Sequence, residues 1–150
     1  MRVVAQRVSE AEVQINNKIV GAIKHGLLIL LGIEHEDNTE DADYLVQKLT
    51  GLRVFSDESG KMNRSIQEIN GSFLVVSQFT LHASTKKGNR PSFITAARPE
   101  IAIPLYEYFK VQMQEFSTCD VQCGEFGADM KVKLTNDGPV TIIMDSKRKE

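Results

Sequence analysis

Ser77-Gln78-Phe79-Thr80-Leu81 places polar side chains at the end of an otherwise apolar run, just before a stretch rich in Lys, Gly and Asn. Strand ends that open into loops often carry sites, because a rigid sheet positions what the loop exposes. Read as a strand, residues 73–81 alternate, sending Gln78, Thr80 and His82 to one face and Ser77, Phe79 and Leu81 to the other. Thr80 with His82 two residues on suggests a hydroxyl nucleophile and its base. The spacing argues against that pair, since side chains at i and i+2 on a strand stand roughly 7 Å apart, beyond hydrogen-bond reach. No Gly-x-Ser-x-Gly elbow occurs, and His25 and His35 fall in loops or at strand ends. A serine-hydrolase triad is not expected; the plain alternative is an ordinary strand with a solvated polar face.

Two further segments could shape a site. Asn136-Asp137-Gly138-Pro139-Val140-Thr141 lies between two alternating stretches and reads first as a hairpin turn, though a Gly-Pro bond can also be cis. Gly124-Glu125-Phe126-Gly127-Ala128-Asp129-Met130 has two glycines that permit close backbone approach, and a loop between strands explains them equally well. Cys119 and Cys123 share a face of one short strand, too far apart for a disulfide and without neighbours for a metal site. They read as two half-buried thiols. Neither a metal nor a cofactor is expected.

The elements that must hold these segments follow from the apolar periodicity. Residues 2–8 and 13–15 read as strands, Asn16-Asn17 as a tight turn, 18–23 as its return strand, and 27–33 as a buried strand after Gly26. Asn38 or Thr39 caps a helix with an acidic first turn and an apolar stripe of Leu45, Leu49 and Leu52, ending near Arg53. Asp57 to Gly60 and Gly71 mark turns, and residues 83–92 form a polar loop. A second helix starts near Pro99 with apolar Ile101, Leu105, Tyr108, Phe109 and Met113, and ends before Thr118. Alternation then returns in Cys119, Val121 and Cys123, in Met130, Val132 and Leu134, and in Val140, Ile142 and Met144. This order predicts one α/β domain over residues 1–150, a mixed sheet with two helices packed on one side, and a loose tail at 146–150.

The chain is 41% apolar, enough for a core at 150 residues. The N-terminal stretch alternates and carries charge, unlike a secretory signal, and the longest apolar run is too short to span a bilayer. A cytoplasmic protein with no membrane partner is expected. With 18 basic and 20 acidic residues and a net charge of −2, a general nucleic-acid binder is disfavoured, so any RNA contact must be local. Two basic clusters could supply it, Lys86, Lys87 and Arg90 in the middle and Lys147, Arg148 and Lys149 near the end; a solvated loop or frayed tail is the plainer reading of each.

Taken together, MRVVAQRV, GLLILLGI, DADYLVQKLTGLRVFSDESGKMN, VVSQFTL, KGNRPSF, FGADM and NDGPVT resemble the D-aminoacyl-tRNA deacylase family over nearly the whole chain. The pairing of SQFTL with NDGPVT carries most of that resemblance. It implies a homodimer with active sites at the subunit interface, in which a Gly-Pro element held in cis, here Gly138 and Pro139, enters the partner's pocket beside the SQFT strand end. It implies an aminoacyl-tRNA substrate from which D-residues and glycine are removed, with L side chains rejected by a clash. Ser77, Gln78, Phe79 and Thr80 then become the catalytic candidates, and Gly138, Pro139, Phe126 and Met130 the substrate-binding ones. Lys86, Lys87 and Arg90 become candidates for contacting tRNA, and Arg7 a support for the Gly-Pro element. The reaction could use Thr80 as nucleophile or the ribose 2′-hydroxyl to help activate water; lacking a base near Thr80 in sequence, we favour the second. The resemblance departs at His82, where many relatives carry Tyr or Ala; solvent is its expected setting, phosphate pairing the alternative.

Overall fold

The first strand, β1 (Arg2–Ile15), carries two apolar alternations that are out of phase. Val3 and Ala5 point into one core, while Val8, Ala11 and Val13 point into another. The phase changes at Ser9: Val8 pairs with Asn136 and Glu10 with Thr135, so Ser9 has no counterpart across the seam. One unpaired residue in a strand is a bulge, and a bulge shifts every later side chain to the opposite face. Residues 2–8 and 13–15 are therefore one strand and not two, because the break in alternation is a bulge within it.

Asn16 and Asn17 both adopt positive φ, 49° and 61°, as a two-residue hairpin turn requires, and lead into β2 (Lys18–Ile23). The strand β3 (Gly26–Gly32) then runs antiparallel to β1 and parallel to β6 (Ser72–Ser77). Gly26 sits where a Cβ would stand 1.9 Å from the Ser72 carbonyl oxygen, so only glycine lets β6 start there. A strand paired on both edges and covered on both faces is apolar throughout, which accounts for LLILL. β7 (Val121–Cys123) joins β6 in parallel, and the 15-residue β8 (Lys131–Asp145) runs along β1, completing a curved six-stranded sheet. A separate hairpin, β4 (Phe55–Ser56) and β5 (Met62–Arg64), surrounds the expected turn at Asp57 to Gly60.

The helix α1 (Thr39–Thr50) begins on Asn38, whose side chain accepts from Glu40 and Asp41 while Asp41 returns a bond to the Asn38 N–H. It ends at Thr50, a turn before the expected limit. The second helix, α2 (Pro99–Phe116), buries Ala102, Leu105, Tyr106, Phe109 and Met113. Ile101, expected on that stripe, is 39% exposed, and Tyr108 instead donates its hydroxyl to Asp43 of α1 at 2.9 Å. Both helices pack on one side of the sheet around Leu27, Ile29, Phe73 and Val75, whereas Leu28, Leu74 and Val76 fill the core inside its curve. A fully buried side chain of this kind contributes roughly 1.5–3 kcal/mol.

This computed structural model describes residues 1–149. Ser146 and Lys147, expected within a loose tail, are anchored: the Ser146 N–H donates to the Met1 carbonyl at 2.9 Å, and Lys147 pairs with Asp41 at 3.0 Å. Glu150 lies outside the described residues. No described helix is long and apolar enough to cross a membrane.

Candidate active site

The strand β6 stops at Ser77, four residues before the end expected from its alternation. The Gln78 N–H makes a last sheet bond to the Leu31 carbonyl at 2.7 Å, and the chain then closes into a 3₁₀ turn over Phe79–His82, held by Leu81 N–H to Gln78 O at 3.2 Å. Gly32 makes room for it, since a Cβ there would stand 3.0 Å from both Leu81 and His82. Turning has two consequences. The Gln78 side-chain amide reaches the Thr80 hydroxyl at 2.5 Å, closer than side chains at i and i+2 come on an extended strand. His82 turns inward and is 6% exposed, with Nδ1 3.8 Å from a Glu34 carboxylate oxygen and Nε2 buried without a partner among the described residues. It anchors the turn from beneath, which corrects its expected place in solvent.

Ser77, Gln78 and Phe79 line a cleft of about 320 Å³ together with Phe126, Met130 and the residues between them, 127–129. Gly127 takes φ 78° there, a conformation that L side chains rarely adopt. The cleft thus gathers three of the four expected catalytic residues and two of the expected substrate contacts. Thr80 stands at its edge, exposed and tied to Gln78. The backbone N–H groups of Phe79 and Thr80 open the turn and have no acceptor among the described residues. Phe79, 54% exposed, packs edge-on to Phe93 with ring centroids 5.1 Å apart.

Tyr106 supports this cleft from α2 and was not among the expected residues. Its hydroxyl donates to the carbonyls of Val75 at 3.2 Å and Gly124 at 3.3 Å, and its ring lies 5.8 Å from that of Phe126. A stripe read as Ala102, Leu105, Tyr106, Phe109 and Met113 would have found it. Burial raises the Tyr106 phenol far above its ordinary value, so it stays a donor. Burial likewise pushes the Cys123 thiol up to about 11, which leaves it protonated and a poor nucleophile near neutrality. Both cysteines are free and half-buried.

The NDGPVT segment is no hairpin. Gln6 pairs with Thr141 and Val8 with Asn136, so residues 137–140 bulge out of β8 opposite Arg7 alone. Asn136 ties the bulge from within: its side-chain oxygen accepts from the Val140 N–H and its amide donates to the Thr141 hydroxyl, each at 3.1 Å. Arg7 holds it from β1, donating to the Asp137 carbonyl at 3.1 Å and to the Val54 carbonyl at 2.6 Å. Gly138 and Pro139, joined by a cis peptide bond, are exposed at the crest and do not line the cleft of their own chain. Lys86, Lys87 and Arg90 are exposed in the loop after the turn and do not line it either. Among the described residues, no group of three or more His, Cys, Asp or Glu side chains is placed to hold a metal ion.

A curved mixed sheet with both helices on one side carries a strand-end cleft walled by SQF and a pinned Gly-Pro bulge, and its fold is one that known proteins share. The family model for D-Tyr-tRNA(Tyr) deacylase matches residues 4–145, and the chain belongs to that family. Proteins named D-aminoacyl-tRNA deacylase from Akkermansia muciniphila and Phocaeicola vulgatus are each 61% identical to it over 150 residues, with both chains covered in full. A solved structure named c-Myc DNA Unwinding Element Binding Protein is 40% identical with a TM-score of 0.92, covering 97% of this chain and 98% of its own. A second, described as a probable eukaryotic D-amino acid tRNA deacylase, shares the fold at TM-score 0.82 and 18% identity, over 96% and 98% of the two chains.

Proposed function

We propose that the protein hydrolyses the ester between a D-amino acid, or glycine, and the terminal ribose of tRNA, and spares the L-aminoacyl ester. The observation that carries this reading is the SQF-walled cleft, with two adjacent unpaired N–H groups at its mouth, in a chain of this family. Water adds to the ester carbonyl carbon, the bond to the ribose oxygen breaks, and that oxygen leaves with a proton. Negative charge builds on the carbonyl oxygen meanwhile, and the N–H groups of Phe79 and Thr80 are the donors to receive it. Thr80 accepts a bond from an amide that is no base at neutral pH, so its hydroxyl positions the ester while the ribose 2′-hydroxyl helps activate water. The proposed reaction needs neither metal nor cofactor.

Selection is proposed to come from a second copy of the chain. In a homodimer, the partner's exposed Gly138-Pro139 crest would enter the open side of the cleft and present backbone carbonyls to the substrate amino group. An L side chain would then point into the crest, whereas a D side chain would point out and glycine has none. Rejection by a clash discriminates more sharply than added attraction to the correct substrate. The support for this arrangement is that the crest is exposed, is pinned by Arg7 and Asn136, and does not line the SQF-walled cleft of its own chain. An aminoacyl-tRNA substrate supports a cytoplasmic location.

A second reading is nucleic-acid binding, since the 40% identical structure is named as a DNA-element binding protein. One experiment separates the two. Purified protein is given matched D-Tyr-tRNA and L-Tyr-tRNA with and without EDTA. Rapid, D-selective release that resists EDTA is the expected result; no release from the D-form overturns the hydrolase and leaves the binding protein.

A further inference from the structure

Beyond the turn, β8 and α1 border a second groove, of about 530 Å³, that includes Arg2, Tyr44, Lys48, Leu81, Arg148 and Lys149. Leu81 follows Thr80 directly, so the groove begins one residue from the cleft. Arg2 fixes this junction by donating to the Leu81 carbonyl at 2.9 Å and to the Asp145 carboxylate at 3.0 Å. Asp145 is the acidic residue of the lining, and it is already engaged by Arg2 and by the N–H groups of Lys147 and Arg148. Lys48, Arg148 and Lys149 are exposed and have no carboxylate partner among the described residues. Lys149 lies 4.3 Å and Lys48 5.6 Å from the centre of the Tyr44 ring, which holds both ammonium groups against one wall by cation–π attraction. A chain of net charge −2 thus concentrates in one groove three cations without a carboxylate partner among the described residues, two of them on one aromatic ring.

A groove with free cations and an aromatic platform fits a single-stranded phosphodiester backbone. We propose that this groove takes the phosphates of the single-stranded 3′ end of tRNA that precede the ester-bearing ribose. The inference rests on the proposed deacylase reading, because the ribose at Thr80 is what directs the preceding nucleotides across Leu81. It also gives the C-terminal basic residues, and not Lys86, Lys87 and Arg90, the main phosphate contacts: that loop lines neither the cleft nor the groove.

The test compares wild type with K48Q/R148Q/K149Q, whose positions are exposed, on D-Tyr-tRNA and on D-Tyr-adenosine, which has the ester and ribose but no phosphodiester. Affinity for uncharged tRNA is titrated in parallel. The ratio of kcat/KM for tRNA to that for the short ester is expected to fall by roughly tenfold or more at low salt. The slope of log affinity for tRNA against log salt should become shallower by about two, the sum of three contacts at ~0.7 each. An unchanged slope overturns the proposal, as does an equal loss on both esters, which would place the damage in the cleft. Equal effects from K18Q/K24Q/K61Q would assign the change to net charge, and effects confined to K86Q/K87Q/R90Q would assign it to the loop; either result also overturns the groove. If wild type releases no amino acid while the groove variant still loses tRNA affinity, the deacylase reading fails and the groove stands.

Discussion

Arg7 and Asp137 face each other across the seam between β1 and β8, with the guanidinium Nε of Arg7 3.1 Å from the Asp137 carbonyl oxygen and 3.2 Å from its carboxylate. The same guanidinium reaches the Val54 carbonyl at 2.6 Å, so one side chain clamps the Gly138-Pro139 bulge to the body of the sheet. Replacing it with Ala leaves two carbonyls without their donor and should cost about 2–4 kcal/mol, read as a fall in the urea midpoint. Arg7→Lys keeps the charge but loses the fork and should recover only part of the loss. If the crest is the chiral filter, both variants gain rate on L-Tyr-tRNA relative to D-Tyr-tRNA. Unchanged selectivity in a destabilised Arg7→Ala protein would remove the clamp from the mechanism.

Thr80 is expected to position the substrate. Thr80→Ala should therefore lower kcat/KM by roughly tenfold, about the loss of one hydrogen bond, and not abolish turnover. A substrate lacking the terminal ribose 2′-hydroxyl should lose ~10²-fold or more, the scale of a missing proton-transfer group. Trapping an acyl group on residue 80 in a Thr80→Ser protein would reverse the assignment and make the hydroxyl a nucleophile.

Acid should loosen the junction of β8 with the turn. Burial alone would raise the Asp145 carboxyl, but hydrogen bonds from Lys147, Arg2 and Arg148 outweigh it and hold it below its ordinary value. Asp41 behaves alike, with bonds from Ser146, Asn38 and Lys147 outweighing its burial. A carboxylate depressed in the fold contributes stability above its unfolded pKa, near ~4, and loses it as the pH falls through the lower folded value. Thermal midpoints should fall with acidification below about pH 4, with a shallower fall in Asp145→Asn. An identical acid dependence in that variant would show that the Arg2 junction plays no part.

Tyr106→Phe removes a buried donor from the Val75 and Gly124 carbonyls and should cost about 1–3 kcal/mol. Because Tyr106 also carries Phe126, kcat/KM should fall with it, chiefly through KM. Cys123, held protonated by burial, should react slowly with iodoacetamide at pH 8 in the folded protein and quickly in urea. Rapid modification in the fold would contradict that burial.

Most elements were legible because each is set by local chemistry. Asn16-Asn17 favours a tight hairpin turn, Asn38 or Thr39 before an acidic first turn marks a helix start, and LLILL suits a buried strand. The site was legible to the extent that Ser77, Gln78, Phe79, Phe126 and Met130 share one cleft. What alternation could not convey was where a strand stops: SQFTLH continues the period of two, yet Gly32 on the neighbouring strand admits a turn there. That choice depends on a residue 45 or more positions away, and it decides both the Gln78–Thr80 bond and the burial of His82. Ser9 and the NDGPVT bulge misled in the same way, since a residue without a cross-strand partner breaks the period as a loop would.

The seam between β1 and β8 also sets an order of events during synthesis. Residues 2–14 leave the ribosome before the rest of the sheet and can pair early with β2 and β3, but their other edge waits for residues 131–145. Contacts so distant in sequence form late, and until then the nascent chain displays a long strand with open hydrogen-bonding groups. Such an edge is a template for another nascent chain of the same kind, so translation from crowded polysomes exposes this fold to misassembly.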